Sequence, residues 1–266
     1  DELNHASLID GGRLSGAHYR RVAHADLAGF AAALAAAPQP AQRLVVTDSV
    51  FSMDGDLAPL SELRALTRRA GASLMVDDAH GFGVLGAHGG GIVEHLDMGD
   101  LRPEIYVATL GKSLGSAGAF VAGSETLIEY LVQRARSWVF STAPPPALSA
   151  AALAALQIVQ GEPERRRHLH ALIARFRARA AEAGLPLVPS LTPIQPLVIG
   201  RDADALAASA RLMEAGYWVA AIRPPTVPEG TARLRITLSA AHGTAEVDGL
   251  VHALREAVGV PAEGVV

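Results

Sequence analysis

The sequence IYVATLGKSLG at positions 105–115 contains the chain's single lysine, Lys112. Its first part, 105–110, is a short apolar run that predicts a buried strand, and Lys112 follows just past the end of that strand, between two glycines. Ligands of open α/β sheets bind at the carboxyl ends of the strands. A lysine can lose its proton and form a Schiff base with a carbonyl, whereas the guanidinium of an arginine stays charged. The stretch therefore predicts an α/β sheet that carries a nucleophilic amine at its carboxyl edge.

The segments around this stretch repeat a pattern of strands and helices. We predict strands at 44–47, 73–76 and 118–122, a helix that ends near 69, and a short strand at 19–23. Continuous apolar strands that alternate with helices favour a mostly parallel sheet with helices on both faces.

The pattern changes after about position 160. Strands are predicted at 196–199, 218–222 and 234–238, with helices at 204–215 and 244–258. This order is typical of a smaller α+β unit with an antiparallel sheet packed on helices. We therefore predict a large domain at 1–160 and a C-terminal α+β domain at 161–266. The chain begins without methionine and runs at once into a motif-like stretch, so we expect the large domain to be incomplete at its N-terminus.

Composition excludes several classes of function. A net charge of −4 and a pI near 6.2 provide no basic field, so nucleic acid is not an expected partner. The sequence has no apolar run of membrane-spanning length and no signal-like start, so we expect a cytoplasmic protein. Cysteine is absent, which excludes a disulfide framework and thiolate chemistry.

Polar residues follow three of the predicted strands, and they are Ser52 with Asp54, Asp77 with His80, and Thr109 with Lys112. In a doubly wound sheet these loops converge at one edge. A carboxylate directly after a buried strand, such as Asp77, needs a cation beside it unless it caps a helix or lies in a surface turn. Mg²⁺ would serve, and so would a protonated pyridine nitrogen. Pyridoxal phosphate requires a lysine and an acid near its ring nitrogen, and this pattern offers both.

Five motifs occur in order along essentially the whole chain. They are LNHAS at 3–7, FSMDGD at 51–56, VDDAHG at 76–81, TLGK at 109–112 with GAF at 118–120, and AIRPPTVP at 221–228 leading into RLR at 233–235. In these motifs the sequence resembles the α-oxoamine synthases, which are fold-type I pyridoxal-phosphate enzymes that condense an amino acid with an acyl thioester. The resemblance implies a fold-type I transferase without metal. Family members carry a further N-terminal segment with a glycine-rich phosphate loop, so the resemblance also implies that this chain is a fragment.

The resemblance implies roles for residues in the first half of the chain. Lys112 would bond to the cofactor aldehyde and later move the proton at the substrate α-carbon. Asp77 would pair with the pyridine nitrogen, and His80 with Ser52 would bond the phenolic oxygen. His5 would stack on the ring, although a polar residue at a helix start is more often a cap.

Further roles concern the phosphate and the substrates. Thr109 would bind the cofactor phosphate, and Thr142 would reach the phosphate of the neighbouring subunit, which implies a homodimer with sites at the interface. Arg235 would bind the amino-acid carboxylate in a bidentate manner. Arg223 would lie near the acyl substrate, or else it is a surface turn residue among prolines.

The reaction implied is the decarboxylative condensation of L-alanine with pimeloyl-CoA, or with a pimeloyl carrier protein, to 8-amino-7-oxononanoate. Family siblings that use glycine and acetyl-CoA, or that form 5-aminolevulinate, remain alternatives, so the acyl donor and the amino acid stay open. A catalytically silent binding subunit and a metal-dependent hydrolase that uses Asp77 and Asp78 are alternatives of other classes. The hydrolase would leave Lys112 unexplained.

Overall fold

The structure, a computed structural model, describes residues 1–38 and 42–259. Positions 39–41 of the predicted large domain and 260–266 of the predicted C-terminal domain lie outside the described residues. The chain forms two compact units. Unit 1 comprises Asp1–Phe51 and Leu57–Pro163, and unit 2 comprises Ser52–Asp56 and the chain from Glu164 onward. The assignment of 1–160 and 161–266 as separate domains stays a prediction.

Unit 1 contains a four-stranded sheet in the order β1 (Leu44–Asp48), β2 (Ser73–Asp77), β3 (Ile105–Thr109) and β4 (Ala119–Gly123). The first three strands are parallel, which places their carboxyl ends at one edge. β4 runs antiparallel to β3, because the link at 110–118 is too short for the crossover that a parallel neighbour requires. The prediction of a mostly parallel sheet is confirmed.

The helices of unit 1 are α1 (Ala6–Leu14), α2 (Leu27–Ala35), α3 (Leu60–Ala70), α4 (Ile92–His95), α5 (Glu125–Arg134), α6 (Arg136–Val139) and α7 (Pro146–Gly161). α2 begins where the Asp26 side chain accepts a hydrogen bond from the backbone N–H of Gly29. α3 buries Leu60 and Leu63, and Gly71 ends it in the left-handed conformation that favours glycine. These local signals could be read from the sequence.

Two predictions for unit 1 need correction. The segment 19–23 forms no strand, because residues 1–4 occupy the outer edge of β1, where Asn4 Nδ2 donates to the carbonyl oxygen of Val46. Residue Val22 instead accepts a hydrogen bond from Glu2 N. β3 is less buried than its apolar sequence predicts, since only Ala108 is buried and the other strand residues are half-buried.

Unit 2 contains an antiparallel three-stranded sheet in the order β5 (Ile194–Gly200), β7 (Ala232–Thr237) and β6 (Ala220–Ile222). Its helices are α8 (Pro163–Glu182, which begins at the last residue of unit 1), α9 (Asp202–Glu214) and α10 (Thr244–Val258). Leu234 and Ile236 of β7 are fully buried, as are Leu212 of α9 and Leu254 of α10. Successive strand residues point to opposite faces, so Arg233 and Arg235 share the face of β7 opposite to Leu234. The predicted antiparallel α+β arrangement is confirmed.

Candidate functional site

The carboxyl edge of the sheet in unit 1 carries two aspartates. Asp48 ends β1 and Asp77 ends β2, and the two residues are partners in the strand register. Asp48 is buried and Asp77 is half-buried. The Oδ1 atom of Asp77 accepts a hydrogen bond from Ala79 N at 3.0 Å, which starts the loop that leads to His80. Two carboxyl groups therefore lie side by side at the edge that the sequence predicted as the site.

Asp48 fixes the position of His5 at this edge. Its Oδ2 atom accepts a hydrogen bond from His5 N at 2.8 Å, and its own N–H donates to Asn4 Oδ1 at 3.1 Å. The ring of His5 caps α1, where Nδ1 lies 2.8 Å from Ser7 Oγ and accepts from Ser7 N at 3.3 Å. The structure thus shows the capping role that the sequence left open, and stacking on a cofactor ring stays a prediction.

The pKa of Asp48 depends on its burial and on the charged groups near it. Burial, and after it the neighbouring charge of Asp77, raise the pKa of Asp48, which is about 7. The N–H of His5 and the charge of Lys112 act in the opposite direction and lower this pKa. Because burial and a second carboxylate both penalise the ionised form of Asp48, this edge favours a cationic group.

Lys112 lies in the loop after β3 and meets His80. Its Nζ atom is 2.8 Å from His80 Nε2, and the lysine is exposed. The loop is held by three backbone hydrogen bonds. Leu110 N donates to Gly118 O and Ser116 N to Leu110 O, each at 2.9 Å, and Gly115 N donates to Lys112 O at 3.0 Å. The amine predicted as the nucleophile is therefore in hydrogen-bond contact with the histidine predicted to act beside it.

Thr109 is engaged within the same loop. Its hydroxyl donates to Gly118 O and accepts from Gly111 N, both at 3.1 Å. To donate to a phosphate, the hydroxyl must exchange its bond with Gly118 for the new one, because a threonine hydroxyl has one hydrogen to donate.

Asp78 is structural, and only the metal-dependent hydrolase alternative assigned it a function. It is fully buried and accepts hydrogen bonds from Ser49 Oγ, from Ile92 N at 2.8 Å and from Tyr106 Oη at 2.6 Å. Burial raises the pKa of Asp78 to about 6, against the effect of these donors. Three donors already occupy this carboxyl group, which disfavours the metal-dependent hydrolase that would use Asp77 and Asp78. The part of the chain that the structure describes contains no cluster of three or more His, Asp or Glu residues able to hold a metal ion.

Two predicted residues belong to unit 2. Arg235, on β7, donates from Nε to the carbonyl oxygen of Ser52 at 2.6 Å and from Nη1 to Thr237 Oγ1 at 3.2 Å. Burial lowers the pKa of Arg235 below its usual range. The structure therefore brings Ser52 and Arg235 together within unit 2, just as it brings Lys112 and His80 together in unit 1.

Arg223 and Thr142 are not joined to either group by a hydrogen bond that the structure assigns. Arg223 is exposed after β6, and its carbonyl oxygen accepts a hydrogen bond from Thr226 N at 3.0 Å in a turn. This position agrees with the alternative that Arg223 is a surface turn residue. Thr142 is exposed between α6 and α7. Their predicted roles stay predictions.

A cleft of about 960 Å³ lies at the other edge of the sheet. Ser73 at the start of β2 and Ile105 at the start of β3 line it, so it is at the amino-terminal edge. None of the predicted site residues lines this cleft.

Sequence reasoning missed Asp48, Asn4 and Arg233. Asp48 ends an apolar strand in the same way as Asp77, and this parallel could have identified it. Asn4 directly precedes His5, but only the structure shows that its side chain bonds the edge of β1. Arg233 lies two residues before Arg235, and this spacing places both on one face of a strand.

Comparisons with known proteins identify relatives in sequence and in fold. The chain is 60% identical over 258 residues to 8-amino-7-oxononanoate synthase from Methylococcus capsulatus, which covers 97% of this chain and 66% of the relative. A serine palmitoyltransferase from S. paucimobilis with bound PLP-myriocin aldimine has a TM-score of 0.92 and 28% identity, over 97% of this chain and 66% of that chain. The 8-amino-7-oxononanoate synthase from Francisella tularensis has a TM-score of 0.83 and 30% identity, over 97% and 74% of the two chains.

These likenesses confirm the predicted fold class, that of the fold-type I transferases, and the resemblance to the α-oxoamine synthases. The chain spans slightly less than two thirds, 66%, of the first of these relatives. The family model for aminotransferases of class I and II matches residues 1–254. This chain therefore belongs to the aminotransferase class I and II family.

Proposed function

We propose that the protein is a pyridoxal-phosphate-dependent acyltransferase of biotin biosynthesis. It condenses L-alanine with pimeloyl-CoA or a pimeloyl carrier protein and releases 8-amino-7-oxononanoate, CO₂ and a free thiol. The observation that carries the proposal is the contact of 2.8 Å between the only lysine amine of the chain and His80, at the edge that also holds Asp77. The names of two relatives, both 8-amino-7-oxononanoate synthases, support the product.

The residues of unit 1 fit pyridoxal phosphate. When bound, the cofactor supplies an electron sink that stabilises negative charge at the substrate α-carbon. The sink is strongest with a protonated ring nitrogen, and Asp77 is the acid that would hold that proton. The paired carboxyl groups of Asp48 and Asp77 make this edge favourable for such a cation.

Lys112 performs two tasks in this proposal. Its amine would hold the cofactor through the aldehyde group, and with alanine bound in its place the free amine would take the proton from the α-carbon of alanine. A lysine is suited to both because it can exist as a neutral amine, which an arginine cannot do at neutral pH. His80, at 2.8 Å, holds the amine in place and, with Ser52, would bond the phenolic oxygen of the cofactor. His5, fixed to the sheet edge through Asp48, would lie against the ring.

The arginines of unit 2 would bind the substrates. Arg235 binds the carboxylate of alanine, and the same carboxylate leaves later as CO₂. Its hydrogen bonds from Nε to Ser52 O and from Nη1 to Thr237 Oγ1 orient the guanidinium, and the remaining N–H groups of Nη1 and Nη2 would make the bidentate contact. Arg223 contacts the acyl substrate in this proposal.

We further propose a cytoplasmic homodimer in which Thr142 reaches the cofactor phosphate of the partner subunit, while Thr109 binds the phosphate of its own. Exposed apolar side chains support a protein contact on unit 1, because soluble proteins seldom leave such groups open to water. They are Tyr130, Val132, Trp138, Val139, Phe140 and Leu153. Within the described residues, no helix has both the length and the apolar character needed to span a bilayer.

A turnover assay tests this function. The protein is saturated with pyridoxal phosphate and offered L-alanine or glycine, each with pimeloyl-CoA or acetyl-CoA, and the release of CO₂ and free thiol is measured. We expect alanine with pimeloyl-CoA to react fastest and Lys112→Ala to abolish the reaction. Preference for glycine with acetyl-CoA would assign the sibling activity instead. No turnover with any pair would indicate a catalytically silent subunit.

A further inference from the structure

The Ser52–Asp56 segment is built into unit 2, although its sequence neighbours Phe51 and Leu57 belong to unit 1. It lies against the face of β7 that carries Arg233 and Arg235. Ser52 O accepts from Arg235 Nε at 2.6 Å, and Met53 O accepts from Arg233 Nη1 at 3.2 Å. Two arginines that are two residues apart thus bind consecutive carbonyl groups of the segment.

Arg233 also makes an ion pair with the segment. Its Nη1 atom lies 2.5 Å from Asp54 Oδ1. Arg233 is 6% exposed and the side chain of Asp54 is 24% exposed, so the guanidinium is shielded from water and the carboxylate partly so. Removal of one partner from such a pair leaves a buried charge uncompensated, so the pair fixes the segment more firmly than a surface ion pair would.

The other end of the segment is held by hydroxyl groups. Gly55 O accepts from Ser190 Oγ at 2.8 Å and from Thr192 Oγ1 at 2.9 Å. The segment is therefore bound at Ser52, Met53, Asp54 and Gly55. A segment held at four consecutive positions has little freedom to shift.

We propose that Arg233 is a positioning residue for amino-acid recognition. It fixes the Ser52–Asp56 segment on β7, and the fixed carbonyl of Ser52 in turn orients the guanidinium of Arg235. Recognition of the substrate carboxylate then depends on an arginine that does not touch the substrate. This inference rests on the proposed function, because it takes Arg235 as the carboxylate ligand.

The geometry explains why loss of Arg233 should weaken the binding of the amino acid more than the binding of the thioester. A bidentate contact needs the plane of the guanidinium to match the plane of the carboxylate. Arg235 is anchored through Nε to Ser52 O, so movement of that carbonyl rotates this plane. A misplacement of about 1 Å can reduce a rate on the order of 100-fold. Binding of the acyl thioester does not involve this plane and should be affected much less.

The test uses the protein loaded with excess pyridoxal phosphate and titrated with L-alanine, without thioester, while its visible spectrum is followed. Arg233→Gln should raise the Kd for L-alanine at least about tenfold, and the KM for the thioester should change less than about twofold. Arg233→Lys, which keeps the charge beside Asp54, should restore part of the affinity. Asp54→Asn should also raise the Kd for L-alanine. The Kd of the double variant Arg233→Gln/Asp54→Asn should be little higher than that of Arg233→Gln alone, since both substitutions act through one segment.

Arg175→Gln is the matched control. Arg175 also pairs with an aspartate of unit 2, Asp248, at 2.5 Å, but its side chain is 45% exposed and it contacts no part of the Ser52–Asp56 segment in a bond that the structure assigns. We expect this variant to bind L-alanine like the wild type. Hydrogen exchange at 52–56 should rise in Arg233→Gln and remain unchanged in Arg175→Gln.

Each outcome decides the question. A Kd for L-alanine in Arg233→Gln within twofold of the wild type overturns the inference and leaves the proposed function intact. Equal losses of alanine, thioester and cofactor binding indicate a general structural role and also overturn it. If Arg233→Gln does not fold, the same criteria apply to Asp54→Asn. A wild-type protein that shows no spectral response to any amino acid contradicts the proposed function itself, and the inference with it.

Discussion

Replacement of Gly55 by alanine measures how closely the Ser52–Asp56 segment packs in unit 2. Gly55 has a φ of +73°, in the left-handed region. A Cβ atom at this position would lie 2.3 Å from Ile194 O and 2.7 Å from Ser190 Oγ. Ile194 O is a backbone atom of β5, so it cannot rotate away as a side chain would.

Two effects should lower the free energy of unfolding in Gly55→Ala. The left-handed conformation costs alanine about 1–2 kcal/mol. The overlap with Ile194 O and Ser190 Oγ adds about 1–3 kcal/mol, as is usual for an overpacked site. Gly55→Ala should therefore lower the free energy of unfolding by about 2–5 kcal/mol.

Gly230→Ala separates these parts. Gly230 lies in the same unit with a φ of +75°, and a Cβ atom there would have nothing within 4 Å. This variant should cost only the conformational part, about 1–2 kcal/mol. The difference between the two variants isolates the overlap at Gly55.

Denaturant unfolding followed by circular dichroism measures both costs, and hydrogen exchange at 190–194 locates the change. The m-values must agree between variants for the comparison to hold. If Gly55→Ala costs no more than Gly230→Ala within about 0.5 kcal/mol, the segment is not packed as tightly as the structure indicates.

Three further predictions concern unit 1. The pKa of Asp48 is about 7 in the folded protein against a usual 3.8, so the contribution of Asp48 to stability is largest below pH 3.8 and falls by about 4 kcal/mol as the pH rises through 7. Asp48→Asn keeps an acceptor for His5 N and should remove this contribution, so that the difference in free energy of unfolding between pH 4 and pH 8 changes relative to the wild type. An unchanged difference in denaturant titrations would contradict it. Tyr106→Phe should lower the free energy of unfolding by about 1–2 kcal/mol. Asp78→Ala should lower it by about 3 kcal/mol or more, because the loss of Asp78 leaves three donors without an acceptor. Equal losses for the two variants in thermal unfolding would argue against this hydrogen-bond cluster. Asp26→Ala should destabilise α2 by about 1 kcal/mol, which would appear as faster hydrogen exchange in the first turn of the helix. Unchanged exchange would show that the Asp26 cap does not stabilise α2.

Local features of the fold could be predicted from the sequence. Apolar runs at 44–47, 73–76 and 105–110 identified the parallel strands. Asp26 and Gly71, which lie at helix ends in the structure, are signals of the same kind, because each depends on residues a few positions apart. The direction of β4 also followed from a local property, the short link after β3, but it was not deduced from the sequence.

Long-range features could not be predicted. The sequence places Ser52 and Asp54 in a loop after a strand of unit 1, yet the structure binds them to β7, about 180 positions later. No local pattern indicates that Arg233 would find Asp54 or that Ser190 would find Gly55. The role of Asn4 depends likewise on an edge of β1 that is 42 positions away.

The central claim is that the single lysine of the chain forms a covalent bond with pyridoxal phosphate, and borohydride reduction followed by peptide mass spectrometry tests it most directly. The account predicts a pyridoxyl group on the peptide that contains Lys112, and no reduced adduct in Lys112→Arg. A wild-type protein that carries no pyridoxyl group at Lys112 after saturation with the cofactor and reduction would contradict it.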